Sequence, residues 1–147
     1  MERQSVGIEI VSAGQLYKET NGFYFYPLYP NKNPKQLIPT SDVWELKTAW
    51  RGYNYYHKYT DNQISSVVNL IKYLVKMFKI PIQPDLTQFY EYNEEVWKKG
   101  LSGLWSHSTV ITYKTDIVPE FNFLNQLYSL PHTKPIMIKS KKRLEDI

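Results

Sequence analysis

One capped amphipathic helix constrains this chain more than any other feature. Thr60 and Gln63 stand at the spacing of a capping box, in which each side chain satisfies a free backbone N–H of the first turn. From about Asp61 to Phe78, the residues Ile64, Val67, Val68, Ile71, Leu74, Val75 and Phe78 recur at helical spacing and form one continuous apolar stripe. Ile80-Pro81 stops the helix. A helix of this kind is scaffold, and it has to lie against a sheet or other helices. With 147 residues the chain is one domain's worth, and 42% apolar composition is enough for a core, which excludes wholesale disorder.

Other elements are read around it. Ser5 to Ser12 alternates Val6, Ile8 and Ile10 with Gly7, Glu9 and Val11, the period of a strand with one buried face. Gly22 to Tyr26 reads as a short second strand. Residues 27–42 carry Pro27, Pro30, Pro34 and Pro39 and read as a long surface loop. Asn93 to Lys99 fits a short helix ended by Gly100, and Leu101 to His107 fits a strand leading into a loop. Pro119 opens a further helix through Leu130, with Pro131 as its stop.

Composition excludes several classes of function. Cysteine is absent, so disulfide staples, thiolate zinc sites and thiol catalysis are out, and any metal has to be held by His, Asp or Glu. No stretch approaches the roughly 20 apolar residues of a membrane span. The first residues lack the apolar segment of a signal peptide, so the reading is cytoplasmic synthesis without Sec export. The net charge is +4, but residues 134–147 hold five basic and two acidic residues, which leaves only +1 for the body. We therefore divide the chain into a domain, 1–133, and a basic tail, 134–147, and expect no nucleic-acid partner. Aromatic content is high at 16%, with 13 Tyr and 4 Trp, which suits bases, sugars and proteins alike.

Few residues are placed to carry chemistry. His107 lies in Gly103-Leu104-Trp105-Ser106-His107-Ser108, and Lys114-Thr115-Asp116 follows across a loop with no helical pattern. A His at a strand end and an Asp on the returning loop can converge on a zinc ion, which takes imidazole nitrogen at about 2.0–2.1 Å and carboxylate oxygen at about 2.0–2.2 Å. The competing reading is a hydrogen-bonded His beside a Lys114–Asp116 loop salt bridge. Glu9 faces solvent on its strand or, if that side is covered, is a costly carboxylate kept for function.

Taken in order, these segments resemble one family. Ser5-Val6-Gly7-Ile8-Glu9-Ile10-Val11 resembles the Ser-Ile-Gly-Ile-Glu strand of zinc-dependent N-acetylmuramoyl-L-alanine amidases of the amidase_2 type, whose fold is similar to that of peptidoglycan-recognition proteins. Tyr59-Thr60-Asp61-Asn62-Gln63-Ile64 and Lys79-Ile80-Pro81 resemble that family's Tyr-Thr-Asp-x-Gln helix and its Gly-Ile-Pro exit. His107-Ser108 with Lys114-Thr115-Asp116 is similar to its Gly-His-Ser…Lys-Thr-Asp-Pro-Gly signature.

The resemblance implies an α/β (mixed α+β) fold: a single mixed β-sheet flanked by helices, with zinc at one end of its strands and the N-terminal strands missing. It implies His107 and Asp116 as zinc ligands, Lys114 as the cation facing the developing oxyanion, and Glu9 as the acid–base that manages the protons of the attacking water. The implied reaction is hydrolysis of the amide between N-acetylmuramic acid and L-alanine, as in a phage lysin or a delivered effector acting on the cell wall. Trp44, Trp50, Tyr53 and Trp105 are candidates for a glycan-binding wall, or equally an aromatic cover for the sheet. The sequence departs from the pattern in two places. Asp116 is followed by Ile117-Val118-Pro119, and the family's first zinc-ligating His has no counterpart. His57 falls next to the helix cap and not on a matching strand. An upstream segment, or a partner chain that also brings the missing strands, is therefore the expected source of that ligand, with His57 the less favoured substitute. A non-catalytic peptidoglycan-binding module is the alternative.

Overall fold

In the computed structural model, which describes residues 5–25, 35–82, 86–117 and 121–130, the apolar helix stripe meets an antiparallel sheet. The strands are β1 (Gln15–Glu19), β2 (Gly22–Phe25), β3 (Gln36–Ile38), β4 (Val43–Trp50) and β5 (Tyr53–His57), in the spatial order β3-β2-β1-β5-β4. Every pairing between these strands is antiparallel, so among the described residues the sheet is not the mixed one expected. Four helices accompany it: α1 (Asp61–Phe78), α2 (Glu94–Lys99), α3 (His107–Val110) and α4 (Phe121–Tyr128). The class is therefore mixed α and β.

Helix α1 forms as its sequence dictates. The Thr60 hydroxyl accepts from the Gln63 N–H while the Gln63 side chain accepts from the Thr60 N–H, and Lys79 closes the far end in a left-handed conformation. Ile64, Val68, Ile71 and Val75 are buried. They join Leu46, Trp50 and Tyr56 of the sheet and Phe123, Leu124 and Leu127 of α4 in one core. Phe78, expected at the end of the stripe, is 59% exposed, so the buried part of the stripe ends at Val75. Helix α2 is held by an Asn93 cap and by Gly100 in the left-handed region, as its sequence predicts.

The β4–β5 hairpin turns on Arg51 (φ 49°) and Gly52 (φ 88°). Positive φ at both central residues is the two-residue turn whose twist matches that of paired strands. Glycine accepts it freely, whereas arginine is held there at a cost of about 1–3 kcal/mol. Just beyond the turn, Tyr56 is fully buried and its hydroxyl donates to the Trp50 carbonyl at 2.9 Å.

Three expected elements differ. Ser5 to Ser12 forms no sheet ladder. Its Ile8 and Ile10 do pack on the core and its Glu9 is exposed, so the alternation reports which side is covered but not a neighbouring strand. Its end is tied instead by the Gln63 amide donating to the Val11 carbonyl at 2.7 Å and by Ser12 and Ala13 on His57. Leu101 to His107 is not a strand; Ser106 caps α3 through the Thr109 N–H, so His107 opens a helix. The loop expected over 27–42 contains β3 and a short turn at Thr40–Asp42, its first part lying outside the described residues. The tail from Lys134 and His132 also lie outside them. No helix of the described residues is long and apolar enough to cross a membrane.

Tyr56 gives the hairpin a pH dependence. Burial, reinforced by neighbouring Tyr53 and opposed by Arg51, pushes its hydroxyl well above the ordinary value of 10.0. The unfolded chain therefore releases this proton first, so the contribution is intact below about pH 10 and is lost as the pH rises beyond it. Tyr56→Phe should lower stability by about 1–2 kcal/mol at neutral pH by removing a buried hydrogen bond. Denaturant unfolding should also show a shallower alkaline loss in the variant than in the parent chain.

Candidate functional site

The residues around His107 are fixed from below. Ser106, Ser108 and Thr109 are buried, and each hydroxyl has a partner. Ser106 donates to the Phe89 carbonyl, and Thr109 donates to the Gln88 carbonyl at 2.8 Å. The Asn93 N–H donates to the Thr109 carbonyl at 2.8 Å, which joins α3 to the start of α2. A polar group in such surroundings is costly unless it is bonded, so these contacts define one placement for the short helix. His107 stands between buried neighbours yet keeps its own side chain half exposed.

The returning loop brings Asp116 to it. His107 Nδ1 and Asp116 Oδ2 lie 2.6 Å apart, and Lys114 Nζ is 3.9 Å from the same oxygen. Thus His107, Lys114 and Asp116, singled out in the sequence, form one cluster. These contacts are those of the competing reading, a hydrogen-bonded His beside a Lys114–Asp116 ion pair, with His107 opening a helix and not ending a strand. The Ser108 hydroxyl, having one proton, shares it between the carbonyls of Lys114 at 3.2 Å and Asp116 at 3.1 Å. Thr115 donates to the Gln15 side chain at 2.8 Å and so ties the loop to β1. Ile117, in the left-handed region at φ 70°, packs its side chain on the core, which holds a backbone conformation that β-branched residues rarely adopt.

Arg51 reaches this loop from the hairpin turn. One terminal nitrogen donates to the carbonyls of Ile111 (3.0 Å), Thr112 and Lys114 (2.7 Å), and the other to the Ser108 carbonyl at 2.8 Å. Burial lowers its pKa, an effect opposed by Tyr56 and Asp116. Sequence reading takes Trp50-Arg51-Gly52-Tyr53 for its rings and misses this role. The available signal was an Arg-Gly pair between two aromatic runs, which marks a two-residue hairpin turn.

The remaining candidates are dispersed. No hydrogen bond or ion pair links Glu9 to the cluster, and its side chain is exposed. His57 Nδ1 accepts the Ala13 N–H at 3.2 Å, so that nitrogen is occupied in tying down the N-terminal segment. Trp50 is buried between Tyr56 and Tyr90, with ring centroids at 5.9 and 5.7 Å, and its indole N–H donates to the Tyr90 carbonyl. Its ring therefore belongs to the core and not to an open groove. Trp44 is half-buried against the same core, and Trp105 is half-buried with its N–H on the Leu101 carbonyl. Tyr53 is half-buried and meets exposed Tyr17 edge to face at 5.8 Å.

An imidazole and a carboxylate, both reachable from solvent, are donor types that zinc accepts. His107 Nδ1 and Asp116 Oδ2, however, contact each other directly at 2.6 Å, closer than the roughly 3.3 Å between two tetrahedral zinc ligands, so the contact has to open before both atoms could hold such an ion. Among the described residues, no group of three His, Cys, Asp or Glu side chains is assembled to hold a metal. Comparisons of the chain with protein-family models, with curated proteins and with solved structures found no match.

Ser108→Ala removes the one hydroxyl shared by the two loop carbonyls. It should cost about 0.5–1.5 kcal/mol, because the Asp116 carbonyl loses this part-buried bond while the Lys114 carbonyl keeps its bond from Arg51. Equilibrium unfolding measures it, and a change below about 0.5 kcal/mol would mean that the hydroxyl contributes nothing to holding the loop.

Proposed function

We propose that this chain carries part of the centre of a zinc-dependent N-acetylmuramoyl-L-alanine amidase. The observation that supports the reading is the approach of His107 and Asp116, with Lys114 beside them, across a loop that sequence alone leaves open. It adds to the ordered resemblance of the Ser5–Val11, Tyr59–Ile64 and His107–Asp116 segments to that family. On this reading His107 and Asp116 hold the ion, and a third ligand comes from outside the described residues, from this chain or a partner.

Bound zinc would supply Lewis acidity toward an amide carbonyl and toward water. The chain's own groups do the rest. Lys114, 37% exposed and 3.9 Å from Asp116, is the cation assigned to meet the negative charge that grows on the carbonyl oxygen. Glu9 is assigned the proton transfer from the attacking water to the departing amine of L-alanine. That role requires the N-terminal segment to bring Glu9 to the cluster when substrate is bound. The substrate is peptidoglycan, and the exposed ring of Tyr17, edge to face with half-buried Tyr53, offers a surface on which a sugar can stack.

A second reading, a peptidoglycan-binding module without turnover, draws on the direct His107–Asp116 contact and on the lack of a third donor among the described residues.

Elemental analysis of the purified chain after dialysis against trace zinc separates the two. The amidase reading expects about one zinc per chain, lost in His107→Ala and in Asp116→Ala but kept in Glu9→Ala. It also expects amide cleavage of purified peptidoglycan to fall about 10²–10⁴-fold in Glu9→Ala. Zinc and cleavage unchanged in either ligand variant would overturn it. Peptidoglycan binding by a zinc-free, inactive chain would replace it with the second reading.

A further inference from the structure

We propose that Arg51 is the positioning residue of the His107–Asp116 pair. Its guanidinium spans the two pieces of chain that carry them: one nitrogen holds the Ser108 carbonyl in α3, and the other holds the Ile111, Thr112 and Lys114 carbonyls in the loop leading to Asp116. The pair does not hold itself together. His107 and Asp116 are each about half exposed (50% and 49%), and a contact between solvent-exposed charged groups adds little. Beyond Val110 the loop has no regular secondary structure to set its path. Its shape comes from its anchors, which include the shared Ser108 proton, the Thr115–Gln15 bond, the packing of Ile117 on the core and the fork of Arg51.

Arg51 makes the most of these bonds, and they are charge-assisted. A planar fork can address both pieces at once, whereas a lysine ammonium is a single point. The fork is itself aimed. The left-handed turn at Arg51-Gly52 sends the side chain off the end of the hairpin, and the guanidinium lies 5.3 Å from the centroid of the buried Trp50 ring. The positioning stands on geometry alone, and only its effect on turnover rests on the amidase reading.

The test uses the full-length chain with ¹⁵N-labelled histidine. Long-range ¹H–¹⁵N spectra at mildly alkaline pH report which ring nitrogen of His107 carries the proton, and Asp116→Asn supplies the signature of a lost partner. In Arg51→Ala the His107 signature should move to that of Asp116→Asn, Arg51→Lys should restore it only in part, and added methylguanidinium should bring Arg51→Ala back toward the parent spectrum. Thr60→Ala, which weakens the cap of α1 and removes none of the Arg51 bonds, should leave the signature unchanged. A parent-like signature in Arg51→Ala refutes the proposal, as does the same displacement in Thr60→Ala. If Arg51→Ala does not fold, Arg51→Lys decides, and a parent-like spectrum there refutes it. Should the parent chain cleave peptidoglycan, kcat in Arg51→Lys should fall by about 10²-fold with KM little changed. Should it not cleave, the spectra still decide the role of Arg51 independently of the amidase reading.

Discussion

The burial of the α1 stripe against the β4–β5 hairpin is the interaction on which the rest of this structure depends. Ile64, Val68, Ile71 and Val75 need an apolar surface, and Leu46, Trp50 and Tyr56 provide one. The consequence runs well past the core. Tyr56, fixed by that packing, donates to the Trp50 carbonyl and so defines the turn that follows it. The turn aims Arg51, and Arg51 reaches the loop that carries Lys114 and Asp116. A helix with no chemical role of its own thus contributes, by way of Tyr56 and the hairpin turn, to one of the anchors of the polar cluster.

Residues 106–109 combine two requirements that usually conflict. Ser106, Ser108 and Thr109 are buried and fully bonded, which gives α3 a single seat, while His107 between them stays open to solvent. A helix of four residues has little intrinsic stability, so these hydroxyl contacts and the Asn93–Thr109 bond supply what propensity cannot. Rigid footing beneath a reachable imidazole is what a ligand or a proton-transfer group requires, and the same footing would serve a purely structural histidine equally well.

What sequence reading could see follows from the range of the forces involved. Helices α1 and α2 were legible because caps and stripes are local: Thr60 with Gln63, and Asn93 with Gly100, carry their signals within a few residues. Strands β1, β4 and β5 were not, since Val43–Trp50 mixes Lys, Glu and Thr with aromatics and shows its pairing only across the hairpin. Ser5–Ser12 failed in the opposite sense: its alternation is real, with Ile8 and Ile10 turned to the core, but period alone cannot supply a neighbouring strand. In the polar cluster, His107, Lys114 and Asp116 were visible as residue types near one another in sequence, whereas Arg51 was hidden. Its link to Ser108 crosses 57 positions and ends on a backbone atom, which leaves no trace in the identity of the partner.

That last point bears on how such a site tolerates change. Because Arg51 grips carbonyl oxygens, which every residue possesses, the side chains at Ile111, Thr112 and Tyr113 are largely released from the duty of shaping the loop, and Tyr113 stands 79% exposed. The outer surface of the loop is therefore open to variation in charge, size and polarity while its path stays the same. These positions can change without disturbing the pair beneath them, provided that Arg51 on the opposite hairpin is kept.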